Sequence, residues 1–299
     1  MLQPYNPQNE NIVISINGKL FPRSDAKISV FDSAVQGGDA VWEGLRVYNG
    51  KIFALEEHLT RLNESAHAML FEKIPSGEEI KQSIFETLKA NNMRDGVHIR
   101  LTLSRGEKIT SGMDPRLNQS GCTLIVLAEW KKPVFEHDVT LITSSVRRNS
   151  PMSIDSKIHH NNLINNILAK IEANLAGADA ALMLDQYGFV SETNDCNLFM
   201  IKNGQLFTPQ ADACLPGITR KKVIEIARQI SLPVQMKNIS LTEFYNADEV
   251  FITGTMGELT RVIRIDGRMI ENKPGKNFLE LLRMEFRQQT QTQGEPIPF

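Results

Sequence analysis

Residues 41–66 read VWEGLRVYNGKIFALEEHLTRLNESA. The runs LRVY and KIFAL are β-type, and Asn49-Gly50 lies between them. Asn-Gly suits the positive φ angles of a two-residue type I′ turn, so a hairpin is predicted here. Leu55, Leu59, Leu62, Ala66 and Met69 then keep one apolar face at helical spacing. The same signals recur outward along the chain. Asn-Gly returns at 17–18 and 203–204, Asp-Gly at 266–267, and Gln186-Tyr187-Gly188 reads as a further turn. Ser76 followed by Glu79 is a capping box opening a helix on Ile80, Ile84 and Leu88. Leu163, Ile167, Ile171 and Leu175 form another apolar stripe, stopped by Gly177. Val223, Ile226, Ala227 and Ile230 form a fourth, and Leu279, Leu282 and Phe286 a last. The polar tail RQQTQTQGEPIPF reads as frayed. Strands grouped with helices, rather than strictly alternating with them, predict an α+β fold.

The length of 299 residues suits two domains or one large α/β unit. The charged segment EWKKPVFEHD at 129–138 is the best linker. It divides the chain into a smaller N-terminal α/β domain, 1–130, and a larger C-terminal domain, 131–299. The net charge of −2 is spread without a basic stripe, which argues against nucleic acid as a partner. The longest apolar run, TLIVLA at 123–128, is far too short to span a bilayer. The polar N-terminus lacks a signal-peptide pattern. Cys122, Cys196 and Cys214 are far apart, with neither disulfide nor metal-ligand spacing. No metal is expected, and the thiols fit a reducing cytoplasm.

Four segments could carry chemistry. In SIDSKIHHNNLINNILAKIEAN, 153–174, Lys157 precedes a helical pattern. Alone it is an ordinary solvated lysine, but a desolvated one can form a Schiff base. In CLPGITRKKVIEIA, 214–227, Pro-Gly is followed by Ile218 and Thr219 at a helix start. The segment is either a plain loop or a phosphate site built from free N–H groups and the helix dipole. In GFVSETNDCNLFMIKNG, 188–204, Glu192 lies in a polar bend. It is a solvated turn residue unless buried beside a pyridine nitrogen, where it would keep that ring protonated. In EVFITGTMGELTRV, 249–262, Thr255 offers a hydroxyl and an N–H to an anion, or belongs to a polar turn. Arg61 falls on the exposed side of its helix by pattern and, taken alone, is a surface charge.

Together these segments resemble the fold-type IV pyridoxal-phosphate enzymes of the class IV aminotransferase family, in order and over nearly the whole chain. VWEGLRVYNGKIFALEEHLTRLNESA, SETNDCNLF, LPGITR and ADEVFITGTMGELT carry the resemblance. It implies a D-amino-acid-aminotransferase-like fold with pyridoxal 5′-phosphate held between two α/β domains. Lys157 then matches the lysine that binds the cofactor and moves the substrate proton. Arg61 matches the phosphate arginine, and Glu192 the partner of the pyridine nitrogen. Leu215 packs on the ring, and Ile218, Thr219 and Thr255 meet the phosphate. The resemblance also implies a homodimer, small-molecule amino-acid and 2-oxo-acid substrates, and transamination by a ping-pong path.

Glu43-Gly44 and the GMDP loop resemble the branched-chain branch, which favours L-amino acids with branched or other apolar side chains. Arg105-Gly106 lacks the Arg-x-His trap of the D-amino-acid transaminases, and Glu43 argues against an aminodeoxychorismate lyase that releases pyruvate. A non-catalytic binding protein on the same fold would gain nothing from Lys157 and Glu192. The pocket departs from its branch. Gly37, His98 and Asn162 replace three tyrosines, Trp42 a phenylalanine, and His159 and His160 small residues. Gly37, Trp42, His98 and Asn162, with Arg100 and Met256, are the candidate substrate contacts, Met256, Arg100 and His98 being suited to an α-carboxylate.

Overall fold

The computed structural model describes residues 3–210, 212–270 and 277–299. Every predicted hairpin forms. Asn17-Gly18, Asn49-Gly50, Asn203-Gly204 and Asp266-Gly267 each have positive φ at both positions, the conformation that makes Asn-Gly the favoured pair. Among the described residues, no helix is long and apolar enough to cross a membrane.

The chain divides into two compact units whose segments interleave. The first holds the described residues up to 132, with 158–162 and 290–299. Its seven-stranded antiparallel sheet runs in the order Glu295–Pro296, Lys51–Ile52, Ala40–Tyr48, Val97–Ser104, Thr123–Trp130, Val13–Ile16 and Lys19–Pro22. Helices Leu55–Ala68 and Gly77–Ala90 pack on it through Leu55, Leu59, Leu62, Ile80, Ile84 and Leu88. The capping box at Ser76 is complete, with both reciprocal bonds made. The C-terminal tail is not frayed. The helix continues to Thr292, Glu295–Pro296 pairs with Lys51–Ile52, and Ile297 is buried. Its polar composition misleads because the segment is held by backbone pairing, which side-chain polarity does not report.

The second unit spans 133–157 and 163–289. Six strands close into a ring: Asn197–Lys202, Glu249–Gly254, Glu258–Ile265, Val139–Thr143, Ala180–Leu184 and Val190–Thr193, the last returning to the first. The closure is a single pair, Glu192 with Asn197. Gln205–Pro209 and Val234–Lys237 extend the sheet beyond the ring. Phe199 and Phe251, a cross-strand pair, stack at 5.0 Å on the face opposite Leu198 and Ile252. Helix Ile164–Leu175 lies against Ala181 and Met183 through Ala169 and Ala173. Its large apolar stripe, Ile164, Ile167, Ile171 and Leu175, is exposed. The small alanines, not the large residues, let this helix approach the strands.

Candidate active site

Glu192 lies where the ring closes, and it is 5% exposed. Its carboxylate accepts Asn197 Nδ2 at 3.1 Å and the Leu215 N–H at 3.3 Å. Arg148 Nε donates to the other carboxylate oxygen, Oε1. Burial pushes the Glu192 carboxyl up, against the opposing pull of Arg148. A carboxylate has about four acceptor positions, so these donors leave capacity for one more. A cationic N–H donor there would offset the remaining burial penalty, and a protonated pyridine nitrogen is such a donor.

The loop from Asp212 to Leu215 links this carboxylate to the lysine. Lys157 Nζ donates to the Asp212 carbonyl at 3.4 Å and lies 3.6 Å from Asp155 Oδ1. Its side chain is 45% exposed, so the protein alone does not desolvate the amine. Gly217 is the N-cap of helix Ile218–Gln229 and supplies no side-chain cap bond. The first backbone N–H groups of a helix have no partner within it, so Ile218 and Thr219 can serve an anion. A Cβ on Gly217 would lie 2.0 Å from Asn197 Oδ1, so only glycine allows the helix end to abut Asn197. Thr255 and Met256 occupy the hairpin turn closed by Gly254 and Glu258, and the Met256 carbonyl accepts the Val134 N–H at 2.9 Å. These residues fit a phosphorylated pyridine: a buried acid, a lysine, and an uncapped helix end.

The other unit carries Arg61, and here the exposed reading fails. Its side chain is 11% exposed and faces Glu43, which is fully buried. Arg61 Nε donates to Glu43 Oε1 at 2.8 Å, and Nη2 to Oε2 at 2.7 Å. His58 Nδ1 lies 2.7 Å from Oε2, and His159 Nδ1 lies 3.1 Å from Oε1. Burial would raise the Glu43 carboxyl, but His159, Arg61 and His58 outweigh it and hold it well below its ordinary value. An ionised carboxylate only accepts, so both imidazoles place their proton on Nδ1. The arginine is thus gripped in a two-pronged pair whose geometry fixes its guanidinium plane.

The same unit assembles most of the candidate substrate residues. Trp42 meets the His159 ring at 4.0 Å between centroids, and the Arg100 guanidinium lies 3.4 Å over the indole. Gly44 makes room for His98, whose Nε2 would be 3.2 Å from a Cβ there. Asn162 donates to the Gly38 carbonyl at 3.0 Å, while Gly37 beside it is exposed with open space around it. Sequence reasoning missed Arg148, which has no motif, and the roles of Glu43 and His58. Their signal was present: Val41, Glu43, Leu45 and Val47 share one face of a strand and all are fully buried. An acid in that register demands donors, and His58 and Arg61 lie one helical turn apart opposite it.

Two of these histidines make stability depend on pH. Burial pushes His98 down to about 3, helped by Lys131, Arg100 and Arg46, and pushes His159 down to about 4 against the pull of Glu43. Both are neutral in the folded chain and take up protons near pH 6.5 when it unfolds. Their stabilisation is therefore complete above about pH 6.5 and is lost as pH falls from there toward the folded values. Between pH 6.5 and 5 each costs up to about 2 kcal/mol. Denaturant titrations should show this slope, and His98→Asn should remove its share. An unchanged slope in that variant would refute the assignment for His98.

The family model of class IV amino-transferases matches residues 40–265. The chain belongs to the class IV aminotransferase family. It is 55% identical over 295 residues to branched-chain-amino-acid aminotransferase-like protein 2 of Arabidopsis thaliana, covering 98% of this chain and 53% of that protein. The chain thus spans about half the length of this plant relative. It is 34% identical over 270 residues to a branched-chain-amino-acid aminotransferase of Pseudomonas aeruginosa, covering 86% of each chain. A solved T.th. branched-chain amino acid aminotransferase, complexed with N-(5′-phosphopyridoxyl)-L-glutamate, superposes with a TM-score of 0.88 at 34% identity. The match covers 94% of this chain and 95% of that one. The enzyme from Escherichia coli superposes with the same TM-score at 28% identity, over 95% of this chain and 96% of that one.

Proposed function

We propose that this chain is a pyridoxal-phosphate-dependent transaminase that exchanges an amino group between an L-amino acid and a 2-oxo acid. The observation that carries the reading is the Glu192 carboxylate, buried at the ring closure with one acceptor position to spare and a lysine reached through the adjoining loop. When bound, the cofactor supplies an electron sink for the substrate α-carbon. Glu192 keeps the pyridine nitrogen protonated, and Leu215 packs against the ring. Ile218, Thr219 and Thr255 receive the phosphate through N–H and hydroxyl donors, and Arg61 adds the cation. Lys157 anchors the cofactor and then carries the substrate proton as a base.

Trp42, His98, Arg100, Asn162, Gly37 and Met256 complete this reading as substrate contacts. The relatives named for branched-chain amino acids support an apolar side chain on the donor. The exposed stripe on helix Ile164–Leu175 supports a homodimer, and the spaced free thiols support a cytoplasmic setting.

The test is a half-reaction. The chain loaded with pyridoxal phosphate and given single L- or D-amino acids, without acceptor, should release one 2-oxo acid per site and then stop. A later addition of a second 2-oxo acid should restore the starting absorbance. Continuous release of pyruvate without acceptor would indicate a lyase instead. No spectral change with any donor would remove the transaminase reading.

A further inference from the structure

We propose that His159 is a positioning residue for the phosphate arginine, holding Arg61 in place through Glu43. This rests on the reading of Arg61 as the cation that meets the cofactor phosphate. The chain places three side chains on one buried carboxylate, and each has a distinct part. Arg61 takes both oxygens through Nε and Nη2, and His58 adds a second donor on Oε2. His159 is then the added donor on Oε1, at 3.1 Å. With a proton on Nδ1, its 3.5 Å approach to Arg61 Nη2 sets donor against donor and is not a bond. The imidazole therefore acts on the arginine only by way of Glu43.

The donor is rigid. The His159 backbone N–H donates to Ser65 Oγ at 3.1 Å, and its carbonyl accepts the Trp42 N–H at 2.9 Å. The ring rests on the Trp42 indole. Both ends of the residue and its ring plane are fixed, so the Nδ1–H points at Oε1 with no rotamer left to order. Without it, Oε1 retains only Arg61 Nε of these three side chains, and the carboxylate can turn about its final bond and carry the guanidinium with it. Orienting groups of this kind govern how well a clamp meets its ligand. His159 also lies two residues beyond Lys157, so the residue that steadies the arginine anchors the segment that follows the lysine.

Two substitutions separate this role from simple packing. His159→Phe keeps the ring on Trp42 and removes the N–H. His159→Asn gives up the ring and retains an N–H near the Nδ1 position. Retention of pyridoxal 5′-phosphate on dialysis, retention of pyridoxal, and thermal melting are measured for both, with wild type and Arg61→Ala in parallel. His159→Phe is expected to weaken pyridoxal-phosphate retention about ten-fold, the effect of one hydrogen bond to a charged group. Pyridoxal, which lacks the phosphate, should be unaffected, and His159→Asn should keep wild-type retention. Normal retention by His159→Phe, or loss by His159→Asn alone, would assign the residue to packing and overturn the proposal. If Arg61→Ala retains the cofactor as wild type does, the phosphate role of Arg61 fails, and this proposal with it. If wild type takes up no cofactor, the transaminase reading itself fails.

Discussion

Lys157→Ala is expected to give a folded chain with no covalently held cofactor and at least about 10³-fold less transaminase activity. The structural cost is small. Lys157 is 45% exposed, and its side chain meets the Asp212 carbonyl and Asp155. An exposed pair of this kind contributes about 0–1 kcal/mol. The chemical cost is large because one side chain does two jobs. A positioned base alone supplies about 10²–10⁴-fold, and the covalent anchor is lost with it. Borohydride treatment followed by peptide mass spectrometry should label Lys157 in the wild type and nothing in the variant. Pyridoxal phosphate fixed to another lysine at wild-type yield would transfer the role away from Lys157. Cofactor bound non-covalently to Lys157→Ala is compatible with the reading, since Glu192 and the helix end at Ile218 remain.

What the sequence made legible were features with local causes. Asn49-Gly50 and Asn203-Gly204 need left-handed φ at both positions, and few other pairs adopt it cheaply. Ser76 and Glu79 satisfy one another's backbone within a single turn. What stayed hidden depends on partners distant in the chain. By the helical pattern Arg61 falls on the outer face of its helix. It lies inside because a strand residue 18 positions earlier, Glu43, is buried. Arg148 reaches Glu192 across 44 positions and belongs to no recognisable motif. The return of 158–162 to the first unit is fixed by strand-edge bonds such as that from the Asn161 N–H to the Ala40 carbonyl at 2.8 Å, and composition does not encode these. The apolar stripe on Ile164–Leu175 shows the converse: periodicity found the helix, but not which of its faces the strands would take.

Glu43→Ala is expected to destabilise the chain by about 3–5 kcal/mol, the range for removing one partner of a buried ion pair. The carboxylate is fully buried and Arg61 is 11% exposed, so solvent screens the pair little. The substitution removes the anion that faces Arg61 and the acceptor of two imidazole N–H groups. Glu43→Gln keeps the shape and one acceptor oxygen, and should cost about 1.5–3 kcal/mol, as for a hydrogen bond to a charged group. The pH dependence distinguishes charge from packing. The Glu43 carboxyl is held well below its ordinary value, so its ionised contribution is complete above about pH 4.5 and fades as pH falls toward its folded value. The stability gap between wild type and Glu43→Gln should therefore be constant from about pH 7 to about 5 and narrow in stronger acid. Denaturant unfolding of the cofactor-free proteins measures this without reference to activity. A gap for Glu43→Ala below about 1 kcal/mol would mean that Arg61 and the two histidines are held by something other than this carboxylate.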